Sequence, residues 1–187
     1  MRFTAVAVAV GAMVGLGWSL LAPRRSRHVR AAHLRWWLVL AVALVLQFLG
    51  GSLDGAPALA LLLVSYGLLL VFAGANLHTA GMGLVGLGIA LNTATIAVNA
   101  GMPVRPDAMI TAGVVAAEDV GSVEFSGKHH LEDADDRLMV ISDVLPVAAL
   151  NEVVSMGDVV MAIGLAVVLA HLLHRRRGAN PSTTIAP

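Results

Sequence analysis

The residues of this chain that could take part in chemistry are concentrated in one polar stretch, from Asn99 to Asp158. The stretch holds most of the twelve acidic residues, the only lysine and two of the seven histidines. It includes the run His129-His130-x-x-Asp133-x-Asp135-Asp136. Imidazole and carboxylate groups are ligands of zinc and manganese, but this spacing matches no established metal site, and acidic runs are usually solvated loops. We therefore predict neither a metal nor another cofactor.

A site for a small ligand is the second interpretation of the polar stretch. Six side chains are candidates for ligand contact: Asn99, Lys128, His129, Arg137, Asp143 and Asp158. An acid–base pair could be drawn from this set, but the chain contains no nucleophile elbow, phosphate-binding loop or dinucleotide-binding glycine motif. We therefore assign no catalytic residue. A structural interpretation stays open, in which Asp158 caps a helix and Asp143 caps or pairs with Arg137 or Lys128.

The end of the polar stretch carries a signal for the start of a helix. Ser155-Met156-Gly157-Asp158 has the spacing of a capping box, because a serine is followed three residues later by an acid, directly before an apolar run. We expect the serine to be the N-cap residue of a helix that begins near Met156.

The elements that must position these residues are predicted to be membrane helices. The chain has 187 residues, of which 58% are hydrophobic and only 13% are charged, whereas about 25% is usual for a soluble domain. Cysteine is absent, which excludes disulfides and thiolate metal sites. Five apolar runs are predicted to span a bilayer: residues 3–21, 36–53, 58–77, 81–98 and 156–174.

These runs predict an all-α fold, a polytopic bundle of five transmembrane helices in a single integral membrane domain over residues 1–177. The polar segment at residues 99–155 would lie between the fourth and fifth helices on one side of the membrane, and residues 178–187 have the composition of a disordered tail. The few polar side chains within the predicted spans include Gln47, Ser65, Tyr66 and Asn92. Because no charged residue lies there, a transporter is the less favoured class.

The distribution of arginine predicts the orientation of the chain. Arg24, Arg25, Arg27, Arg30 and Arg35 follow the first run, and Arg175, Arg176 and Arg177 follow the last. Basic residues favour the cytoplasmic side, so we predict the N-terminus outside, the C-terminus inside and the polar segment outside, in a bacterial cytoplasmic membrane. We interpret the first arginine cluster as a topogenic loop rather than a nucleic-acid-binding surface.

Several motifs resemble those of a family of small bacterial membrane proteins that is catalogued only as a domain of unknown function, number 5317. The shared motifs are Asn99-x-Gly-Met-Pro-Val, Lys128-His129, Asp136-Arg137-Leu138, Asp143-Val-Leu-Pro146 and Val153-Val-Ser-Met-Gly-Asp158-Val-Val-x-Ala-Ile-Gly164. The resemblance extends from the first predicted helix to about His174. It implies a helical membrane protein with a polar outer segment, and it carries no established activity.

From these observations we expect a non-enzymatic membrane module that binds a ligand or a partner through its outer segment, in signalling or envelope maintenance. Its expected partners are the lipid bilayer and either another protein or a second copy of the chain, and not nucleic acid. The alternatives are a membrane enzyme that acts on a lipid-type substrate at the outer leaflet, or a small transporter subunit.

Overall fold

The structure of the protein is a computed structural model that describes residues 34–123, 125 and 128–178, with side chains described as far as residue 172. The first predicted span, residues 3–21, lies outside the described residues, as do arginines 24–30 and the tail from residue 179. The described part contains five α-helices: α1 (Trp37–Gly50), α2 (Gly55–Ala75), α3 (Met82–Asn99), α4 (Pro106–Thr111) and α5 (Met156–Gly178). α2 packs against α1 and α3, and α3 packs against α5.

The described helices do not form the predicted set of membrane spans. Two of them, α2 with 21 residues and α3 with 18, are long and apolar enough to cross a membrane by length and composition. α1 has 14 residues, which at about 1.5 Å per residue is shorter than a hydrocarbon core of about 30 Å. The apolar part of α5, Met156–Leu172, is also shorter than the 18 residues of α3. The prediction of a five-span bundle is therefore wrong.

The prediction of an all-α fold is also wrong, because the polar segment forms a sheet. Its strands are β1 (Met102–Val104), β2 (His129–Leu131), β3 (Asp143–Val147) and β4 (Glu152–Ser155), in the spatial order β2-β1-β3-β4. β1 is parallel to both β2 and β3, and β3 is antiparallel to β4. Strands of three to five residues show too few alternations for a period of two to be recognised in sequence.

The polar segment, which we call the cap (residues 100–155), is packed onto one end of the helices. α1 ends, α2 begins, α3 ends and α5 begins at this end. Ala100 adopts a left-handed conformation, with φ 54°, and turns the chain from α3 into β1. Met102 is 1% exposed and lies in the same apolar core as Tyr66, Ile89 and Ile96. The first strand of the cap therefore penetrates between the helices.

Close packing of α3 against α5 fixes the position at which the cap rejoins the helices. A Cβ atom at Gly88 would lie 2.7 Å from Met161, and it would also overlap the backbone oxygen of Gly157. One at Gly164 would lie 2.9 Å from the backbone oxygen of Gly81. These two glycine pairs let the antiparallel backbones approach directly, as small residues do in helix interfaces.

Candidate functional site

One face of the sheet is directed at the helices. In the register of the sheet, Met102 is paired with His129, and Val104 is paired with Asp143. Residues paired across neighbouring strands project from the same face, and successive residues alternate between faces. Because Met102 packs into the helical core, His129 and Asp143 also face the helices, whereas His130 faces away.

Lys128 lies directly before β2 and contacts the middle of α2. Its Nζ atom donates a hydrogen bond to the hydroxyl oxygen of Tyr66 at 3.0 Å and lies 5.7 Å from the centroid of the ring. Burial lowers the pKa of Lys128, but Tyr66, Asp143 and Asp158 together raise it by more, so that the net pKa is above its usual value. Lys128 is therefore a fixed positive charge among the helices.

His129 and Asp143 form a second contact beside this charge. The Nε2 atom of His129 lies 3.5 Å from Oδ2 of Asp143, whose side chain is 8% exposed. Burial lowers the pKa of His129 to about 4, and the charge of Lys128 acts in the same direction. Burial also raises the pKa of Asp143 to about 7, although Lys128 opposes this shift. The contact is therefore not an ion pair at neutral pH, where His129 is uncharged and Asp143 titrates.

Asp158 is held by a hydrogen-bonded triangle at the start of α5. The backbone N–H of Asp158 donates to Oγ of Ser155 at 3.0 Å, and the N–H of Ser155 donates to Oδ2 of Asp158 at 3.3 Å. This geometry confirms the predicted capping box. Asn92 of α3 closes the triangle, because its Nδ2 donates to Asp158 at 2.8 Å and its Oδ1 accepts from Ser155 at 2.8 Å.

A cavity of about 370 Å³ lies beside Lys128. Its volume is within the range of small-ligand pockets, about 300–1,000 Å³. The wall consists mainly of the first two turns of α2, with the end of α3 and Lys128 completing it: Gly55, Ala56, Ala58, Leu59, Leu62, Ala100 and Lys128. Among the described residues, the cavity therefore combines an apolar wall with one cationic residue, Lys128.

The structure brings together four of the six candidate residues, Lys128, His129, Asp143 and Asp158, and separates the other two from them. Asn99 at the end of α3 donates to the backbone oxygen of Arg137 and accepts from its N–H, both at 2.8 Å. This pair uses the backbone of Arg137, whose side chain is exposed. Asn99 therefore fixes a loop of the cap to α3.

The histidine and aspartate run does not converge on one point. Because His129 and His130 are successive residues of a strand, they face opposite sides, and His130 contacts Asp136 at 3.0 Å. Asp133 and Asp136 accept hydrogen bonds from backbone N–H groups of the same turn. Within the described ranges, no group of three or more histidine, aspartate or glutamate side chains is arranged to hold a metal ion.

Three residues that contact Lys128 or Asp158 were not among the six candidates from the sequence: Tyr66, Asn92 and Ser155. The signal for Tyr66 and Asn92 was their polarity within apolar helices, where a buried polar group requires a partner. Their partners, Lys128 and Asp158, are 62 and 66 residues distant in sequence. Nothing in the local sequence therefore identifies the pairing.

Comparison with known proteins gives a family but no activity. The model of the Family of unknown function (DUF5317) matches residues 31–170, and the chain belongs to that family. Neither the curated proteins nor the solved structures contain a match to this chain.

Proposed function

We propose that this member of a family without an assigned activity is a membrane-bound module that binds a small ligand beside Lys128. The observation that carries the proposal is the position of Lys128, which lines a cavity of about 370 Å³ with an otherwise apolar wall. A concave site with a few convergent polar groups is the usual form of a ligand pocket. A small ligand is favoured over a protein partner because Lys128 lines a cavity rather than a flat surface.

A location in a membrane is supported by the outer surface of the helices. On α1, Trp37 is 65% exposed, Val45 58% and Phe48 70%. Such a contiguous apolar surface is unfavourable in water but not in contact with lipid chains. In this proposal α2 and α3 cross the bilayer of a bacterial cytoplasmic membrane, and the cap lies at one surface.

The distribution of charge supports an outward orientation of the cap. Arg35, before α1, and Arg175, Arg176 and Arg177, at the end of α5, lie at the ends of these helices that are opposite the cap. Because basic residues favour the cytoplasmic side, the cap faces the outside of the cell in this proposal.

Native mass spectrometry of protein extracted gently from its own membrane tests ligand binding. Wild type should carry a bound small molecule that Lys128→Met, a substitution of similar shape without charge, loses. Arg105→Met is the matched control, because Arg105 is a partly exposed cation of the cap that contacts Glu132 at 3.5 Å; this variant should retain the ligand. An equal mass of bound material on wild type and Lys128→Met would refute the proposal.

A membrane enzyme that acts on a lipid-type substrate is the second candidate function. The observation that favours it is the contact of His129 with Asp143, because a carboxyl group with a pKa of about 7 can exchange protons at neutral pH. In that case purified protein should turn over a membrane lipid, and Asp143→Asn should abolish turnover while ligand binding persists. Absence of any lipid conversion by wild type in its native membrane would remove this candidate.

A further inference from the structure

Two acidic residues near Lys128, Asp143 and Asp158, differ in how far their carboxylates are already held by other hydrogen bonds. Asp158 accepts hydrogen bonds from Asn92 and from the N–H of Ser155, so its carboxylate is already held at the start of α5. Asp143 is 6% exposed, and its carboxylate contacts only the uncharged ring of His129 within the polar contacts described above. Asp143 is therefore the neighbouring acid whose charge can be exchanged for that of a ligand.

We propose that the cavity binds an anion that carries an apolar tail, and that the ligand's charge replaces the Asp143 carboxylate as the counter-charge of Lys128, so that binding takes up one proton. This inference rests on the proposed function, because it names the ligand class of the same cavity. The ligand class follows from the wall: Lys128 supplies the charge, while Leu59 and Leu62 on one side of α2 supply apolar contact.

The proton is assigned to Asp143 because the neighbouring titratable groups, Lys128 and His129, do not change their protonation state near pH 7. Lys128 stays positive, because Tyr66, Asp143 and Asp158 raise its pKa by more than burial lowers it. His129 stays neutral near pH 7, because burial lowers its pKa to about 4. Burial raises the pKa of Asp143 to about 7. An anion bound at Lys128 adds negative charge to the surroundings of Asp143, whose carboxyl group interacts electrostatically with Lys128, and this favours the protonated form further.

The elements packed around β3 supply no other cation to the Asp143 carboxylate among the described contacts. β1 has no titratable side chain, α5 contributes Asp158, and α4 contributes Asp107, which is exposed. Glu152 of β4 is paired with Val147, at the opposite end of the strand ladder from Asp143. Arg105 donates its backbone N–H to the carbonyl of Asp143, while its guanidinium contacts Glu132.

The test uses three probes whose charge is constant between pH 6 and pH 8. These are dioctanoylphosphatidylglycerol, an anion with tails; dioctanoylphosphatidylcholine, with the same tails and no net charge; and inorganic sulfate, an anion without a tail. Binding to full-length protein in neutral detergent is measured by native mass spectrometry at both pH values. Of the three probes, phosphatidylglycerol should bind with the highest affinity. Its affinity should be about tenfold higher at pH 6 than at pH 8, because Asp143, with a pKa near 7, must be protonated for binding.

The variants separate the two parts of the inference. Asp143→Asn should bind phosphatidylglycerol with the same affinity at both pH values, and Lys128→Met should no longer distinguish it from phosphatidylcholine. If sulfate binds as tightly as phosphatidylglycerol, the tail has no role and the proposed ligand class is wrong. Wild type could bind the two lipids equally while the native ligand that it carries is missing from Lys128→Met. In that case the ligand is not an anion, but the proposed function stands. If Lys128→Met does not accumulate, the wild-type preference and its pH dependence decide alone.

Discussion

The carboxyl group of Asp143 loses most of its contact with water when the chain folds, and this makes stability depend on pH. Burial raises its pKa from 3.8 to about 7. Because the folded pKa is higher than the unfolded one, the folded state binds this proton more tightly. The associated stability is complete below about pH 4 and is lost as the pH rises through about 7, amounting to about 4 kcal/mol.

Asp143→Asn should therefore change the pH dependence of unfolding. The variant should gain stability relative to wild type as the pH is raised from 5 to 8, since it has no carboxylate to bury. Thermal unfolding in neutral detergent across this range measures the difference. His129→Gln is the control, because the pKa of His129 is lowered to about 4 and its protonation costs stability only as the pH falls below about 6.5. A constant difference between wild type and Asp143→Asn from pH 5 to pH 8 would contradict the assignment.

At the level of single residues, the sequence identified the chemistry but not the pairings. Lys128, His129, Asp143 and Asp158 were recognisable because charged groups in a mostly apolar chain are few. The contact of Lys128 with Tyr66 was not predictable, because it joins two side chains that are 62 residues apart in sequence. For the same reason the sequence indicated no charge among the helices, whereas the fold brings Lys128 there.

The interface of α3 with α5 depends on the absence of side chains at its glycine pairs. Gly88→Ala would place a Cβ atom under 3.0 Å from α5, and such overpacking costs about 1–3 kcal/mol. Gly83→Ala on the same helix is the matched control, because its nearest neighbour would be Leu77 at 3.9 Å; it should be neutral or slightly stabilising, since alanine favours helix. Thermal unfolding of both variants measures this, and equal midpoints would show that the helices are less closely packed.

The serine of the capping box at α5 should contribute more to the stability of the fold than an exposed serine does. Ser155→Ala removes the N-cap, worth about 1 kcal/mol, and leaves the buried Oδ1 of Asn92 without its donor, which costs about 1–3 kcal/mol more. Ser52→Ala is the control, because Ser52 is exposed and donates only to the backbone oxygen of Phe48. The expected result is a clear fall in unfolding midpoint for Ser155→Ala and none for Ser52→Ala. Equal unfolding midpoints for the two variants would show that the hydrogen bonds among Ser155, Asp158 and Asn92 do not stabilise the fold.

At the level of elements, local signals predicted helices better than strands. Predicted runs at residues 58–77 and 81–98 correspond to α2 (Gly55–Ala75) and α3 (Met82–Asn99), because an apolar run of this length has few other structures available. The sheet was missed because β1 pairs with strands that follow it by more than 25 positions. Such pairing depends on contacts between distant segments, and no short window of sequence records it.

The described part of the molecule combines helices with exposed apolar side chains and a polar cap, and cysteine labelling can locate both. The chain contains no cysteine, so single substitutions give an unambiguous signal. In intact cells a membrane-impermeant maleimide should modify Ala134→Cys, because Ala134 is exposed on the cap. Val45→Cys, at a position 58% exposed on α1, should react only after denaturation, since lipid would shield it. Comparable reaction of both variants in native membranes would contradict the proposed location of the helices.

The most direct test of the ligand site uses the fact that Lys128 is the only lysine in the chain. Protein labelled with 13C at the ε carbon and 15N at the ζ nitrogen of lysine gives a single side-chain signal in the NMR spectrum. We predict that dioctanoylphosphatidylglycerol shifts this signal at pH 6, more weakly at pH 8, and that dioctanoylphosphatidylcholine leaves it in place. A signal that is unchanged by the anionic lipid at both pH values would show that Lys128 does not bind it.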